Sequence, residues 1–224
     1  MGEVELIEKH RLLVIHSDLF FYGKAASGKL ATEIARSVEL QWNEPEGKIW
    51  FRGNWHLVQF RTRGFFEPLN PEEVWYNTNA RLNFFRIEEY SPADISFVDG
   101  LGCNTGYFKL ANLLQTSTTA AHEYGHTLGL EHPVQLDIRG KGAPGIMFPR
   151  GTLCDPVYQY EPGKPAGVKG GTLDPRYRKV LQSDIDALAL HRLKFNARNI
   201  AVLGAFSSVY HSDYSLNGEI NIFS

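Results

Sequence analysis

Three of the eight histidines of this chain lie within the short segment AAHEYGHTLGLEHP. His122 and His126 are four residues apart, so on a helix their side chains lie one turn apart on the same face. His132 cannot share that face if the helix continues, because ten residues at about 1.5 Å each would place it roughly 15 Å along the axis from His122. Gly129 can end the helix in a left-handed conformation, and Pro133 prevents it from resuming. The segment therefore predicts a helix that stops abruptly, so that the third histidine returns to the first two.

Three histidines are the ligand set of a catalytic zinc site, which leaves the fourth position of the metal for water. Glu123 follows the first histidine and could reach that water without binding the metal itself. Zinc lowers the pKa of bound water to about 7, and a nearby carboxylate can accept its proton. The full pattern H-E-x-x-H-x-x-G-x-x-H would arise by chance in roughly one of ten thousand chains of this composition.

This pattern, together with the segment PGIMFP, resembles the metzincin clan of zinc endopeptidases. In that segment Met147, one of two methionines, follows a Pro-Gly pair and would be the methionine of the Met-turn beneath the zinc. The segments IMFP, SDIDAL and ADISF resemble matrixins, whereas HTLGLEHP is more similar to serralysins. The resemblance covers roughly residues 10–195.

The resemblance implies an α+β fold of metzincin type. A twisted, mostly parallel sheet would carry a backing helix and a zinc-binding active-site helix. An irregular C-terminal subdomain would follow, with the Met-turn and one long helix. We accordingly expect a catalytic domain over residues 1–195, with an upper subdomain over about 10–132 and a lower one over about 133–195. Residues 196–224 are expected to form a β-rich extension packed on the same domain.

The same resemblance implies a function. His122, His126 and His132 would hold one Zn²⁺ ion, and Glu123 would act as general base and later as general acid. The expected activity is that of a zinc-dependent endopeptidase that hydrolyses peptide bonds with a Glu-activated, zinc-bound water. The expected partner is a protein or peptide substrate.

In such folds the substrate lies extended and pairs with an edge strand just before the zinc helix, by strand addition. The corresponding edge is expected around residues 104–110, although this stretch could instead be an ordinary strand paired on both sides. By analogy, the segment after Met147 would wall the pocket for the residue that follows the cleaved bond.

Some features of related enzymes have no counterpart. Pro149 stands where serralysin- and astacin-type enzymes often carry a tyrosine ligand, so no such ligand is assigned, although Tyr158 and Tyr160 lie nearby in sequence. No histidine set for a second, structural zinc is apparent, nor is a cysteine switch of the PRCG type. A bound Ca²⁺ ion is possible but not indicated, because no ligand loop stands out.

Two other functions remain open. One is a toxin-like zinc protease effector that cuts a single target, which the absence of a recognisable pro-segment slightly favours. The other is a metal-stabilised binding module without turnover. The carboxylate of Glu123 argues against the second, because a non-catalytic site has no need of it.

Composition excludes other classes of partner. A formal net charge of -2 and a pI near 6.4 give no electrostatic footprint for nucleic acid. No apolar run approaches the roughly 18 residues of a membrane span, and the N-terminal stretch is unlike a signal peptide. The compartment is open, with an extracytoplasmic location expected if a signal was removed. The oligomeric state is also open. Cys103 and Cys154 flank the histidines and could form a disulfide or remain free thiols.

Sequence patterns predict the order of elements. Strands are expected over 10–23, 55–66 and 74–90 (the last alternatively a hairpin), with short strands in 93–100 and 105–112. Helices are expected over 27–43 with Ser27 as N-cap, over 117–128, and after a capping-box pair of Ser183 and Asp186. The stretch 133–175 is expected to be irregular. Two β-segments, NIAVLGAF and GEINIFS, are expected in the tail.

The remaining histidines have no partner at ligand spacing and are expected to be surface or hydrogen-bonded core residues. They are His10, His16, His56, His191 and His211.

Overall fold

A computed structural model of the chain describes residues 1–91, 93–114, 117–165 and 168–213. These residues form a mixed α+β fold in which one curled sheet is covered by few helices. The strands are β1 (Gly2–Ile7), β2 (Leu12–Tyr22), β3 (Lys48–Phe51), β4 (Asn54–Phe66), β5 (Leu82–Glu88), β6 (Phe97–Val98), β7 (Thr105–Lys109) and β8 (Ile200–Leu203). The α-helices are α1 (Gly28–Asn43), α2 (Pro71–Trp75), α3 (Thr119–Thr127) and α4 (Gln182–Ala187). None of the helices in these ranges is long and apolar enough to cross a membrane.

The centre of the sheet is parallel, as expected. Strand β2 pairs in parallel with β4 on one side and, over its second half, with β5 on the other. Strand β5 pairs in parallel with β7. Antiparallel strands lie at the margins: β3 beside β4, β6 beside β7, and β1 beside the first half of β2. Strand β2 lies in the interior of the sheet, and most of its side chains are buried on both faces, as its apolar sequence indicates.

Helix α1 is the backing helix, and its prediction is confirmed. Ser27 is the N-cap, and its hydroxyl accepts a hydrogen bond from the Leu30 amide at 3.3 Å. The helix buries Ile34, Val38 and Trp42 in the main core, between itself and the sheet. It therefore supplies one wall against which α3 can pack.

The edge of the sheet differs from the expectation. The stretch 104–110 contains β7, which is paired on one side with β5 and on the other with β6, so it is the doubly paired alternative. The edge is β6, a strand of only two residues. Strand β6 lies directly before the loop that leads to β7, and it borders the cleft described below.

Two further predictions of elements are corrected. Val74 and Trp75 belong to α2, because Pro71 occupies the first turn and Glu73 accepts a hydrogen bond from the Asn70 amide at 2.8 Å. The strand predicted over 74–90 accordingly starts only at residue 82, as β5.

The long helix expected in the C-terminal subdomain is absent, since α4 spans six residues. Its N-terminus is capped by Asp184, which accepts from the Leu181 amide at 2.7 Å, and not by the predicted pair Ser183 and Asp186. Ala189 adopts a left-handed conformation with φ 48° and ends the helical run. Leu188 and Leu190 are both buried, yet in a continuous helix they would point about 200° apart. The break lets both enter the core.

The two ends of the described chain meet in the sheet. Strand β1 was not predicted, although its alternating sequence GEVELI buries every second residue. It pairs antiparallel with β8, so the predicted segment NIAVLGAF contains a strand that extends the sheet. The predicted segment GEINIFS lies outside the described residues. The division into a domain over 1–195 and an extension over 196–224 stays a prediction.

Candidate metal centre

Helix α3 carries the first two histidines and is fixed to the core at two buried points. The Trp42 indole Nε1 donates to the Ala121 carbonyl at 3.0 Å, which ties α3 to α1. The Tyr124 hydroxyl lies 2.8 Å from the Ser17 hydroxyl on β2. All four residues are almost completely buried. The opposite face of the helix is therefore held in a fixed orientation towards the cleft.

The helix ends where the sequence predicts. Gly129 has φ +96°, a left-handed conformation in which an L side chain would be strained. The Leu130 amide donates back to the Gly125 carbonyl at 3.0 Å, which completes the C-terminal cap of α3. This reversal brings His132 back beside the helix.

The three predicted histidines converge. His132 Nε2 lies 3.1 Å from His122 Nε2 and 3.1 Å from His126 Nε2. One ligand atom from each ring lies within 4.8 Å of the other two. Three nitrogens that bind a tetrahedral zinc at about 2.0–2.1 Å are separated from one another by about 3.3–3.4 Å. The spacing of the rings is thus close to that of a shared metal ion.

The protonation of two rings is set by the backbone. His122 Nδ1 lies 2.7 Å from the Ile146 carbonyl and His126 Nδ1 lies 2.7 Å from the Leu130 carbonyl. A carbonyl can only accept, so both Nδ1 atoms carry the proton and both Nε2 atoms present a lone pair. His132 Nε2 faces both lone pairs and could donate to only one of them. A cation bound by all three nitrogens would accept the lone pair of each, so the group is suitable for a metal ion.

The electrostatic environment keeps the rings neutral. Burial lowers the pKa of His122, His126 and His132 below the ordinary value of 6.5, and the positive charge of Arg178 lowers each further. Neutral imidazole is the form that binds metals. Within the described ranges, these histidines form the one group of three or more His, Cys, Asp or Glu side chains that could hold a metal ion.

Met147 lies beneath α3. Its segment forms a tight turn in which the Phe148 amide donates to the Gly145 carbonyl at 3.2 Å. The side chain is buried, and its sulfur would lie 2.3 Å from a Cβ atom placed on Gly125 of α3. A larger residue at that position of the helix would require the Met147 side chain to move. The same turn supplies the Ile146 carbonyl that orients His122.

Glu123 lines the same cleft as the histidines and is only 6% exposed. Burial raises the pKa of this carboxyl group to about 8, although the nearby guanidinium groups of Arg178 and Arg150 oppose the rise. Among the described residues, none makes a hydrogen bond to its carboxylate. The group therefore faces the cleft, where a water molecule or a ligand could reach it.

The cleft has a volume of about 250 Å³ and lies between α3 and the edge of the sheet. Its lining comprises Glu123, the three histidines and residues 95–98, 100 and 101, which include β6. Strand β6 and the histidine cluster therefore border the same cleft.

Two site residues were not predicted from sequence. Arg178 is 5% exposed, and Arg150 lies two residues after Phe148. Nothing in the spacing of residues 123 and 178 indicates that they approach each other, because the intervening chain is irregular.

The two cysteines and the five other histidines lie outside the histidine cluster. Cys103 and Cys154 are both unpaired, so they do not form a disulfide. Among the other histidines, His16 bonds to Glu5 at 2.9 Å and His211 bonds to Asp99 at 2.9 Å. His56 is buried on β4, and His10 and His191 are exposed. These five are surface or hydrogen-bonded core residues, as predicted.

No family model matches the chain, and no curated protein is significantly similar to it. The histidine cluster and its surroundings are accordingly the observations on which a functional proposal must rest.

Proposed function

We propose that this protein is a zinc-dependent endopeptidase. The observation that carries the proposal is the convergence of three histidine Nε2 atoms beside a buried carboxylate, in a cleft bordered by an edge strand. The resemblance to metzincins points to the same activity.

The donor set favours zinc. Three neutral imidazoles at near-tetrahedral spacing suit Zn²⁺ better than Ca²⁺ or Mg²⁺, which prefer oxygen ligands. With three protein ligands, the ion would keep an open position, as catalytic zinc sites do. Zinc bound there would polarise the scissile carbonyl and make water more acidic.

Glu123 would move the proton. It follows His122 directly, so a water molecule beside the cluster lies within its reach. Its carboxylate would take a proton from the attacking water and then deliver that proton to the amine of the leaving fragment. Burial raises the pKa of Glu123 to about 8 in the metal-free protein, and a bound cation would favour the carboxylate form that accepts the first proton.

Strand β6 would bind the substrate. Its outer edge is not paired with any of the described strands, and such an edge can accept an extended peptide by strand addition. Main-chain hydrogen bonds would then place a peptide bond over the cluster. This arrangement favours peptides and proteins as substrates.

The test is the incubation of a mixed peptide library with the purified protein at one zinc per chain, with cut sites identified by mass spectrometry. We expect cleavage within peptides, loss of cleavage on chelation, and recovery on addition of zinc. The Glu123→Gln variant at the same zinc content is the control for a contaminating protease. If zinc is bound but no peptide is cut, the proposal of a general endopeptidase is wrong.

A further inference from the structure

Strand β6 is the shortest of the described strands. It has two residues and, among those strands, pairs only with β7. The loop after it contains two glycines, Gly100 and Gly102. A short edge with a glycine-containing loop opens locally at low free-energy cost unless other parts of the chain hold it. The order of this wall of the cleft therefore depends on contacts from outside the strand and its loop.

The C-terminal brace, which we define as residues 205–211, supplies such contacts. The Ala205 amide donates to the Gly102 carbonyl at 2.8 Å. The Ser207 amide donates to the side-chain oxygen of Asn104 at 2.7 Å, and Asn104 is fully buried. The brace thus binds the loop between β6 and β7 at two points.

The same loop is also joined to helix α3. The Gly102 amide donates to the His126 carbonyl at 2.7 Å. Gly100 and Leu101 of this loop line the cleft together with β6. The loop is therefore held both by the helix of the candidate metal ligands and by the C-terminal brace.

His211 connects the C-terminal brace to the end of β6. Its Nε2 atom lies 2.9 Å from the carboxylate of Asp99, the residue directly after the strand. A carboxylate only accepts, so Nε2 is the donor. The carboxylate also accepts from the Thr105 hydroxyl at 2.5 Å. The side chains of His211 and Asp99 are only 8% and 10% exposed, so this hydrogen bond is largely shielded from water.

The position of His211 is itself fixed by buried groups. Its amide donates to the Tyr22 hydroxyl at 3.1 Å, and its carbonyl accepts from Arg86 Nη1 at 3.0 Å. Its ring packs edge-on against Phe97 of β6 and Tyr107 of β7, with centroid distances of 5.8 and 5.5 Å. The imidazole is therefore held against the edge strand and the strand beside it.

We propose that His211 and Asp99 are positioning residues for the substrate: through them the C-terminal brace holds β6 in the arrangement that accepts an extended peptide. This inference rests on the proposed endopeptidase function. Neither residue is among the described residues that line the cleft, so both would act through β6. An edge that is already ordered loses less conformational entropy when a peptide pairs with it.

The C-terminal brace should consequently affect binding more than chemistry. Helix α3 is fixed to the core by the contacts of Trp42 and Tyr124, which the brace does not share. A variant with a less ordered β6 would keep the candidate zinc ligands and Glu123 in place. Its KM should rise while kcat changes little, which is the pattern expected when binding common to substrate and transition state is lost.

The test compares variants of His211. His211→Phe keeps a ring beside Phe97 and Tyr107 but removes the donor to Asp99. In zinc-loaded protein that also carries Glu123→Gln, fluorescence anisotropy measures the Kd of a labelled ten-residue peptide, the tightest-binding member of the peptide library. We expect a Kd about tenfold higher in His211→Phe, and without the Glu123 substitution a similar rise in KM with kcat within about twofold. His211→Gln, whose amide can donate to Asp99, should restore most of the affinity.

Two further variants separate positioning from general stability. His16→Phe breaks a histidine–carboxylate pair of the same length, that of His16 with Glu5 at 2.9 Å, which lies on β2 and β1 outside the cleft lining. It should leave Kd and KM unchanged. Ser207→Ala removes a hydroxyl 2.9 Å from that of Thr105 and should raise Kd by about twofold. This milder change provides the test if His211→Phe does not fold.

Peptides with a single N-methylated amide show whether the edge strand is what the variant loses. For the wild-type edge, N-methylation of an amide that pairs with β6 should weaken binding by at least about fivefold. In His211→Phe this penalty should shrink towards unity, because the pairing is already impaired. A loss of global stability alone would leave the penalty unchanged.

A rise in KM of equal size in His16→Phe would overturn the inference, and so would a failure of His211→Gln to recover affinity. If the wild type cuts peptides but His211→Phe and Ser207→Ala bind them normally, the endopeptidase proposal survives and this inference fails. If nothing is cut but extended peptides are bound in a manner that depends on His211, the positioning role is retained and the endopeptidase proposal fails. Absence of any peptide binding would contradict both.

Discussion

At the scale of single residues, Glu123 is unusual because it is a carboxylic acid in a place that water hardly reaches. The residue is 6% exposed, and burial holds its pKa at about 8 instead of the ordinary 4.5. Without a metal ion, the folded protein therefore prefers the protonated acid across the neutral range. A bound cation would favour the ionised form, so metal binding and proton release should be linked at this residue.

This shift predicts a pH-dependent stability of the metal-free protein. The pKa of Glu123 is higher in the folded than in the unfolded protein, so the protonated group stabilises the fold. This contribution to the free energy of unfolding is complete below pH 4.5 and is lost as the pH rises through about 8. Relative to Glu123→Gln, the unfolding free energy of the wild type should fall by about 1.4 kcal/mol per pH unit in that window. Urea denaturation of both proteins in a chelator at several pH values measures this difference. Parallel stability curves would show that Glu123 does not titrate in this way.

The residues of the site differ in how far they could be predicted. The histidines and Glu123 share one short segment, so a local motif places them together. Arg178 reaches the same site through an irregular chain of about thirty residues after Met147, where no periodic pattern indicates direction. Its buried position near Glu123 is therefore visible only in the folded structure.

At the scale of elements, the end of α3 decides whether the third histidine can join the first two. Gly129 needs φ +96°, and a Cβ atom there would meet no other atom within 4 Å. Gly53, in the turn between β3 and β4, offers a matched case with φ +75° and equally open space. The strain of an alanine is thus similar at the two positions, but only Gly129 positions a histidine.

We therefore predict that Gly129→Ala and Gly53→Ala each destabilise the protein by roughly 1–2 kcal/mol. Only Gly129→Ala should weaken zinc binding, by roughly tenfold or more, because it displaces His132. Competition with a chromophoric chelator measures the zinc affinity of each variant, and thermal unfolding in the metal-free state measures its loss of stability. Equal zinc affinity in the two variants would contradict this account of the helix end.

The helices and strands differ in how strongly a sequence pattern predicts them. Helix α1 and strands β2 and β4 carry long periodic patterns and were predicted within about two residues. The edge strand was misplaced because β6 has two residues, too few for a pattern of alternation. Helix α4 was overestimated because the left-handed Ala189 carries no local signal for a break.

At the scale of the whole molecule, the candidate metal centre joins segments that are distant in sequence. The Ile146 carbonyl of the Met147 turn orients His122, and the turn after α3 brings in His132. A bound ion would therefore tie the helix, the turn and the irregular C-terminal half together. The pairing of β1 with β8 is similarly long-range and could not be derived from local patterns.

Zinc should consequently stabilise the entire fold. At a free zinc concentration 1,000 times the dissociation constant, the expected gain is about 4 kcal/mol if the unfolded chain does not bind the ion. Differential scanning calorimetry with and without a chelator measures this gain. His126→Ala should lose it and Glu123→Gln should keep it. A melting temperature that is insensitive to zinc in the wild type would show that the three histidines do not hold the ion.

The most direct measurement of the central claim is the ratio of kcat/KM between the wild type and Glu123→Gln for one cleaved peptide, with both proteins at one zinc per chain by elemental analysis. The account predicts a wild-type rate higher by about 10²–10⁴, since Glu123 would supply the proton transfers of the reaction. Equal rates at equal zinc content would contradict it, because the carboxylate beside the histidine cluster would then have no part in the chemistry.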